Sequence, residues 1–592
     1  VVGAFLAWSG LAGSAFAGDC TLAKIVDLPV TVVDMKALVA AKINGEDALF
    51  AADSGAFYSM ISPAAAAQYR LKTYPAPWGI EVHGVGGQRT DVQVAKVKQF
   101  NLAGFTIPNV EFLVGGGEVS GGAVGLLGQN LLRVHDVDYN FPRGLITLMK
   151  SAGCRNGNLA YWTAGTSQPY SMIQIEPTTP MHTAIESVAY VNGHQISVVF
   201  DTGSAYSVLS LRAAERAGER PDSPGVVSAG MSRGTGRRQI PTWIAPFASF
   251  KLGDEEIKNT HLRIGENVAE GIDMLIGADF FLSHRVYVAT ELRRVFFTYS
   301  GGPVFNLTKA AGNALAAPTG EQDSAATGAS DDTMDATAFS RRGSAFAARR
   351  DFVRAIADFN RACELAPTEP NFFYERAVAK GENNQVNEAL ADLDRALELK
   401  PDHLPALVTR AQVFMARHDS ARAVADLDAA DRAAPKEADI RLRMAQIYGS
   451  SQQFPQAIAQ LTLWMASHEA DARMVDALGE RCRARGIVGQ DLKTALNDCS
   501  AALRRVDSRD SRRTQLLASR GLVRLRLGDY AKSIDDYSEA LKLAPRDASS
   551  LYARGIAESR SGKAAAAEAD KEAATAIAPK IAERYTSYGI GP

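Results

Sequence analysis

The sequence predicts a multidomain chain, a mostly-β unit of two homologous lobes followed by an all-α solenoid. A short motif centred on an aspartate occurs twice in matched surroundings. Short Val/Ile/Leu-rich segments punctuated by Gly, Pro and Asn run from Leu22 to about Tyr299, which is the pattern of many short strands. Beyond about residue 335, small and apolar residues recur at helical spacing with a period of about 34 residues.

The doubled motif reads Phe50-Ala51-Ala52-Asp53-Ser54-Gly55-Ala56 and Val198-Val199-Phe200-Asp201-Thr202-Gly203-Ser204. An Asn-Gly pair of the type that turns a hairpin precedes each copy, Asn44-Gly45 and Asn192-Gly193. Tyr58 and Tyr206 follow, each succeeded by Ser, two apolar residues and Ser. Further on, Leu126-Leu127-Gly128-Gln129-Asn130-Leu131-Leu132 answers Leu275-Ile276-Gly277-Ala278-Asp279-Phe280-Phe281. The offsets agree, 201 − 53 = 148 and 277 − 128 = 149, so two lobes, 22–150 and 168–300, carry one aspartate each. Ser62 followed by Pro63 predicts the capped start of a helix in the first lobe, and Ser210 starts its counterpart in the second. The polar stretch 151–170 is expected to connect the lobes.

An apolar strand, Asp-Ser/Thr-Gly-Ala/Ser, a glycine-rich hairpin and an apolar-apolar-Gly strand, all in two copies, resemble the retropepsin-like aspartic proteases. The resemblance covers roughly residues 24–300. It implies a bilobal acid-protease fold whose catalytic pair is Asp53 and Asp201, with Ser54, Gly55, Ala56, Thr202, Gly203 and Ser204 supporting the active-site loops. By the same resemblance the Ser54 and Thr202 hydroxyls tie the loops together, while Gly55 and Gly203 let main-chain N–H groups approach the carboxylates. Gly84, Val85, Gly86 and Gly87, and more loosely Gly234 and Gly236, would belong to flaps closing over an extended peptide, and Gly128 and Gly277 to the lobes' core strands. A serine at position 204 would donate an extra hydrogen bond that increases the acidity of the pair, and the alanine at position 56 would not. One of each predicts a mildly acidic optimum. Two carboxyls ~3 Å apart share one proton and serve as base and acid for hydrolysis of a peptide bond. The chain departs from the family in the small pair Ala51-Ala52 and in flaps without an aromatic residue. A weak or inactive protease fold serving as a peptide-binding adaptor or envelope scaffold stands as the alternative.

Residues 1–17 form an apolar run ending in Ala15-Phe16-Ala17, which reads as a signal peptide and predicts an exported protein, periplasmic or secreted. The run is short for a membrane span, which takes ~20 apolar residues. Export permits cysteine pairing. Cys20 and Cys154 bracket the first lobe, and Cys482 and Cys499 are either a disulfide or two packed thiols. With Lys+Arg 64 against Asp+Glu 66 and a net charge of −2, the composition argues against nucleic-acid partners and polybasic membrane patches. No Cys/His set has metal-ligand spacing, and Gly115-Gly116-Gly117 lacks a following Gly-Lys-Ser/Thr, so neither a metal nor another cofactor is implied.

Residues 307–335 have the composition of a flexible linker. From 336 to 592, Pro367, Pro401 and Pro435 fall 34 apart (401 − 367 = 34), and so do Pro545 and Pro579. Small residues stand at Gly343, Ala377, Ala411, Ala445, Gly521 and Gly555, and again at Ala355, Ala389, Ala423, Ala457, Ser533 and Ala567. This pattern resembles tetratricopeptide repeats, seven of them, with a stretched fifth at about 472–507 and Ile581 to Tyr588 as an end cap. Such a solenoid implies a protein partner or substrate held on its surface. Lacking any acid-base or nucleophile set, it is expected to recruit, so that a chain ending near Leu307 should cleave short peptides as the full chain does.

Overall fold

The computed structural model describes residues 20–77, 82–83, 89–90, 92–155, 157–177, 183–233, 239–266, 271–305, 334–469, 471–508 and 510–591. The expected signal peptide at 1–17, the flap glycines and nearly all of the 307–335 linker lie outside these residues. The chain divides into two compact units, Val1–Leu399 and Lys400–Pro592.

In the first unit, each lobe starts from a hairpin whose turn chemistry is explicit in the sequence. Lys36–Ile43 turns into Glu46–Ala52 through Asn44 and Gly45, at φ 51° and 92°. Glu186–Val191 turns into His194–Phe200 through Asn192 and Gly193, at φ 49° and 78°. Both central residues of such a turn need positive φ, which Asn and Gly tolerate. The asparagines also pin the hairpins to a neighbouring strand. Asn44 N–H donates to Gln99 O at 2.8 Å and its Oδ1 accepts from Gln99 N–H at 3.1 Å. Asn192 makes the same pair of bonds to Ser249, at 3.0 and 3.1 Å.

The strand leading to each aspartate is central and runs parallel to a short inner strand. Phe50, Ala51 and Ala52 face Gly125, Leu126 and Leu127, while Val198, Val199 and Phe200 face Met274, Leu275 and Ile276. Buried on both faces, these paired three-residue segments are apolar, as parallel pairing favours. Helices Pro63–Gln68 and Leu211–Arg216 follow, with Ser62 Oγ accepting from Ala65 N–H at 3.0 Å and Ser210 Oγ from Ala213 N–H at 3.2 Å. In the first lobe Phe50, Phe100 and Phe112 form a cluster with ring centroids 5.1–5.6 Å apart. Each fully buried ring of this kind stabilises by about 1.5–3 kcal/mol.

The lobes are joined by a shared antiparallel sheet rather than by a tether. Its strands lie in the order Ser171–Gln174, Arg294–Tyr299, His284–Ala289, Asp136–Asn140, Leu145–Ala152 and Thr21–Val33. Val137, Asp138 and Tyr139 pair with Val288, Tyr287 and Val286 across the seam. The stretch 151–170, read as a polar connection, leaves the sheet after Ala152 and packs against it through Tyr161 and Trp162. Trp162 and Tyr161 lie against the Arg285 guanidinium at 4.2 and 4.9 Å, and Trp162 Nε1 donates to Thr298 Oγ1 at 2.9 Å. Cys20 and Cys154 are disulfide-bonded, with Cα atoms 4.3 Å apart, next to buried Leu159 and Ala160.

Four repeat helices belong to this unit: Ala336–Ala348, Phe352–Leu365, Pro370–Glu382 and Val386–Leu399. The first is no appendage. Ala345 is buried in the core shared by the lobes, Ser344 Oγ accepts from Val32 N–H at 3.0 Å, and Arg349 Nη1 donates to Gly301 O at 2.9 Å. The expectation that a chain cut near Leu307 keeps an intact protease unit needs correction here, because the cut removes part of the lobes' own core.

The second unit contains helices Leu404–Ala416, Ser420–Ala433, Ile440–Ser450, Phe454–Ser467, Met474–Val488, Leu492–Arg504, Arg513–Leu527, Tyr530–Leu543, Ala548–Arg560, Ala564–Ile577 and Ile581–Ser587. At two of the small positions a large side chain of the paired helix takes the space: a Cβ at Gly521 would come within 2.9 Å of the Tyr537 ring, and one at Gly343 within 3.0 Å of the Phe359 ring. In the stretched repeat the corresponding pair is Cys482 and Cys499, joined as a disulfide with Cα atoms 5.5 Å apart. Partly buried Arg–Asp pairs brace the two helices of a repeat, Arg410–Asp426 at 2.6 Å, Arg481–Asp498 at 2.8 Å, Arg520–Asp536 at 2.7 Å and Arg554–Asp570 at 2.6 Å. In the first unit Arg342–Asp358 and Arg376–Asp392 do the same at 2.7 and 2.6 Å. Among the described residues no helix is long and apolar enough to cross a membrane.

Candidate active site

Asp53 and Asp201 each stand one residue beyond a central strand, where the chain leaves the sheet. Asp53 N–H donates to Leu127 O at 2.9 Å and Asp201 N–H to Ile276 O at 2.8 Å, so the parallel inner strand fixes where each carboxylate emerges. The loops then fold back on their own aspartate. Gly55 and Ala56 N–H groups both donate to Asp53 Oδ1 at 2.9 Å. Gly203 and Ser204 N–H groups donate to Asp201 Oδ1 at 2.9 and 3.2 Å.

The two loops interlock through buried hydroxyls. Ser54 Oγ accepts from Thr202 N–H at 3.0 Å and donates to Phe200 O at 2.8 Å. Thr202 Oγ1 accepts from Ser54 N–H at 2.9 Å and donates to Ala52 O at 2.8 Å. Each hydroxyl thus has its donor and its acceptor in the opposite lobe, and no buried polar group in this grid lacks a partner. The glycines do more than expose N–H groups. A Cβ on Gly55 would lie 2.5 Å from Asp201 Cγ, and one on Gly203 would lie 2.2 Å from Asp53 Cγ. Each glycine is therefore the surface on which the other lobe's carboxyl rests.

Within this frame the two carboxyls are hydrogen-bonded to each other. Burial first, and the Asp201 charge second, push the Asp53 carboxyl from 3.8 up to about 8, against the Lys36 charge and the Ala56 N–H. A pair coupled this closely holds one proton between them. Such a pair has a base and an acid side by side at neutral pH.

Gly128 and Gly277, read as core-strand glycines, cap the helices Gln129–Leu132 and Ala278–Ser283 just beyond the inner strands. A Cβ there would lie 2.6 Å from Tyr58 C and 2.5 Å from Tyr206 C, so the tyrosine backbone of the active-site loop occupies the space. The serines after those tyrosines, which the sequence reading did not single out, fasten the arrangement. Ser59 Oγ accepts from Gly128 N–H at 3.0 Å and donates to Asn130 Oδ1 at 2.8 Å. Ser207 Oγ accepts from Gly277 N–H at 2.9 Å and donates to Asp279 Oδ1 at 2.6 Å. Both serines follow the repeated tyrosine, and both acceptors stand two residues after the repeated glycine, which is the signal that would have found them.

One expected contact is absent. Ser204 Oγ donates to Tyr206 O at 2.8 Å, so its single hydroxyl proton is spent on its own loop and not on the carboxyl pair. The Ser204 hydroxyl therefore gives no ground for the mildly acidic optimum expected from Ala56 and Ser204. Lys36, a residue with no motif around it, sends Nζ to Gly203 O across the lobe boundary. Gly84, Val85, Gly86, Gly87, Gly234 and Gly236 lie outside the described residues.

The family model for aspartyl protease matches residues 39–131 and 188–280, and models for the tetratricopeptide repeat match residues 374–438 and 515–547. None of the curated proteins matches the chain. Similar solved structures include the APC/C hetero-tetramer Cut9-Hcn1, 16% identical over 43% of this chain and 48% of that one, with a TM-score of 0.30. The chain thus spans about half the length of that structure. YrrB, a TPR protein with an unusual peptide-binding site, is 18% identical over 33% of this chain and 97% of its own, with a TM-score of 0.30. A tetratricopeptide repeat protein from Parabacteroides merdae is 15% identical over 43% and 98%, with a TM-score of 0.30. The chain thus carries two lobes that match the aspartyl protease family model, followed by helices that match tetratricopeptide repeat models.

Proposed function

We propose that the two lobes form an exported aspartic endopeptidase and that the repeats hold a protein partner or substrate. The observation that carries the reading is the hydrogen-bonded pair Asp53 and Asp201, one carboxyl from each lobe, on a matched grid of main-chain donors. Water placed between the two carboxyls gives its proton to the ionised one as its oxygen adds to the peptide carbonyl carbon. The protonated one donates to the carbonyl oxygen, giving a gem-diol; the carboxyl that took the water proton then passes it to the amine nitrogen as the C–N bond breaks, while a gem-diol hydroxyl returns a proton to the other carboxyl. The substrate is an extended peptide, held through main-chain bonds as an added strand. Export is supported by the composition of residues 1–17 and by two disulfides, Cys20–Cys154 and Cys482–Cys499, which suit an oxidising compartment.

The test is digestion of a denatured protein and a peptide library across pH, with and without a transition-state-mimicking aspartic protease inhibitor. Inhibitor-sensitive cleavage supports the reading. Peptide capture without cleavage would make the lobes a binding adaptor instead.

A further inference from the structure

The turn between Thr21–Val33 and Lys36–Ile43 consists of Asp34 and Met35, both at positive φ, 49° and 61°. Residues with side chains hold that conformation where the surroundings impose it. Here the hairpin is held at both ends. Before the turn, Val32 N–H donates to Ser344 Oγ of the first repeat helix at 3.0 Å. After it, Lys36 Nζ donates to Gly203 O in the other lobe. Gly203 is the residue whose Cα faces the Asp53 carboxyl and whose N–H donates to Asp201 Oδ1 at 2.9 Å. The ammonium therefore stands on the loop that touches both carboxyls.

The lobes are not equivalent in this respect. Lys36 precedes Asp53 by 53 − 36 = 17 residues, and the same offset before Asp201, 201 − 17 = 184, gives Ala184. The second lobe thus has no counterpart of Lys36 at the matching position of the repeat. Without Lys36, burial opposes the first ionisation of the pair with no positive charge set against it, which favours a neutral diacid that has no base.

We propose that Lys36 is a positioning residue of the carboxyl pair, fastening the second lobe's active-site loop to the first lobe and supplying the charge that keeps the pair singly ionised. Its effect on turnover rests on the peptidase reading, whereas its effect on the ionisation of the pair does not. Among the described residues, two tyrosines are other ionisable groups that stand near the loops of the pair. Tyr139 lies behind Asp53 with its phenol buried and held neutral. Tyr206 stands beyond the second loop, under Arg263 at 4.8 Å, and senses Asp279, Asp34 and Arg350. The opposing effect of Lys36 on the Asp53 carboxyl agrees with the geometry.

The experiment is a carboxyl-carbon NMR titration of the full chain labelled at aspartate, with the Asp53 and Asp201 signals assigned through Asp53→Asn and Asp201→Asn. Lys36→Met removes donor and charge, Lys36→Gln keeps a donor, and Lys36→Arg keeps the charge. The apparent pKa values of the pair should rise by about one unit, tenfold in proton affinity, in the Gln and Met variants and stay within about 0.3 unit in the Arg variant. Where a variant fails to fold, the remaining two carry the comparison. Gln and Met variants that titrate like the parent chain, or an Arg variant that shifts as far as they do, would overturn the proposal. Peptide hydrolysis measured on the same preparations keeps the two readings apart: a parent chain that hydrolyses nothing retires the peptidase reading, and the titration still decides the role of Lys36.

Discussion

Replacing Gly203 by alanine isolates what holds the two carboxyls together. Gly203 is not among the glycines with positive φ, so an alanine there carries no backbone penalty of that kind. The whole effect comes from the Cβ, which would lie 2.2 Å from both Asp53 Cγ and Oδ2. Ordinary carbon contacts are about 3.5–4.0 Å, so either the carboxyl or the second loop must move by more than about 1 Å. Overpacking of this size costs about 1–3 kcal/mol of stability. A displacement of about 1 Å at the reacting groups costs about 10²-fold in rate, or about 2.7 kcal/mol in barrier. The assay is kcat and KM on a cleavable peptide alongside thermal unfolding, for Gly203→Ala and for Gly193→Ala. Gly193 is at φ +78° with nothing within 4 Å of an added Cβ, so its alanine should lose about 1 kcal/mol of stability and no turnover. Gly203→Ala should lose turnover out of proportion to stability. Retention of kcat within about threefold in Gly203→Ala would refute the account of the glycine as the rest for the opposite carboxyl.

A chain ending near Leu307 should unfold at least about 3 kcal/mol more easily than one ending at Leu399, since it leaves Val32 N–H without Ser344 and strips Ala345 from the core; denaturant melts of the two truncations compare them. Because the Asp53 carboxyl is raised from 3.8 to about 8, the folded chain holds a proton that the unfolded chain has released, so this group's stabilisation is full below 3.8 and is lost as pH rises towards about 8. Unfolding free energies across that window should show a falling slope that Asp53→Asn removes. Opening the Cys482–Cys499 bond, which closes a loop of sequence separation 17, should cost about 3 kcal/mol on the loop-entropy model. The double change Cys482→Gly with Cys499→Tyr installs the pair that Gly521 and Tyr537 make in the next repeat, and it should recover part of that loss where Cys482→Ala with Cys499→Ala recovers none. Thermal melts with and without reductant measure both.

The lobes and the aspartates were legible because the chemistry demands particular residues in a fixed local order. Asn-Gly turns, Ser caps and Asp-Ser/Thr-Gly loops each act within a few residues of themselves, so the chain declares them. What escaped is non-local. Lys36 sits on an unremarkable strand start, and only the closure of the lobes brings it to Gly203 O. Ser59 with Asn130 and Ser207 with Asp279 were inside the repeated segments, but their pairing needs the parallel inner strand to bring them together. In the repeats, reading only the small positions hid the Arg–Asp pairs, which recur at a separation of 16 residues in five of the helix pairs named above. The Ser204 hydroxyl shows the opposite failure. A residue in the right place by resemblance turned to a main-chain acceptor two residues away. Composition also misled at the end of the second lobe, where the linker-like stretch gives way to a helix that packs into the lobes and not beside them.

The central claim is that one chain supplies both halves of a single acid–base pair. Asp53→Asn and Asp201→Asn should each remove nearly all turnover, and the double variant should be little worse, because the two act as a unit. Mixing the two single variants tests the claim most directly. The account predicts that the mixture stays as inactive as its components, since each chain's Ser54–Thr202 grid closes on itself. Activity regained on mixing would place the pair between chains, and full activity in Asp53→Asn alone would leave the first lobe without a catalytic part.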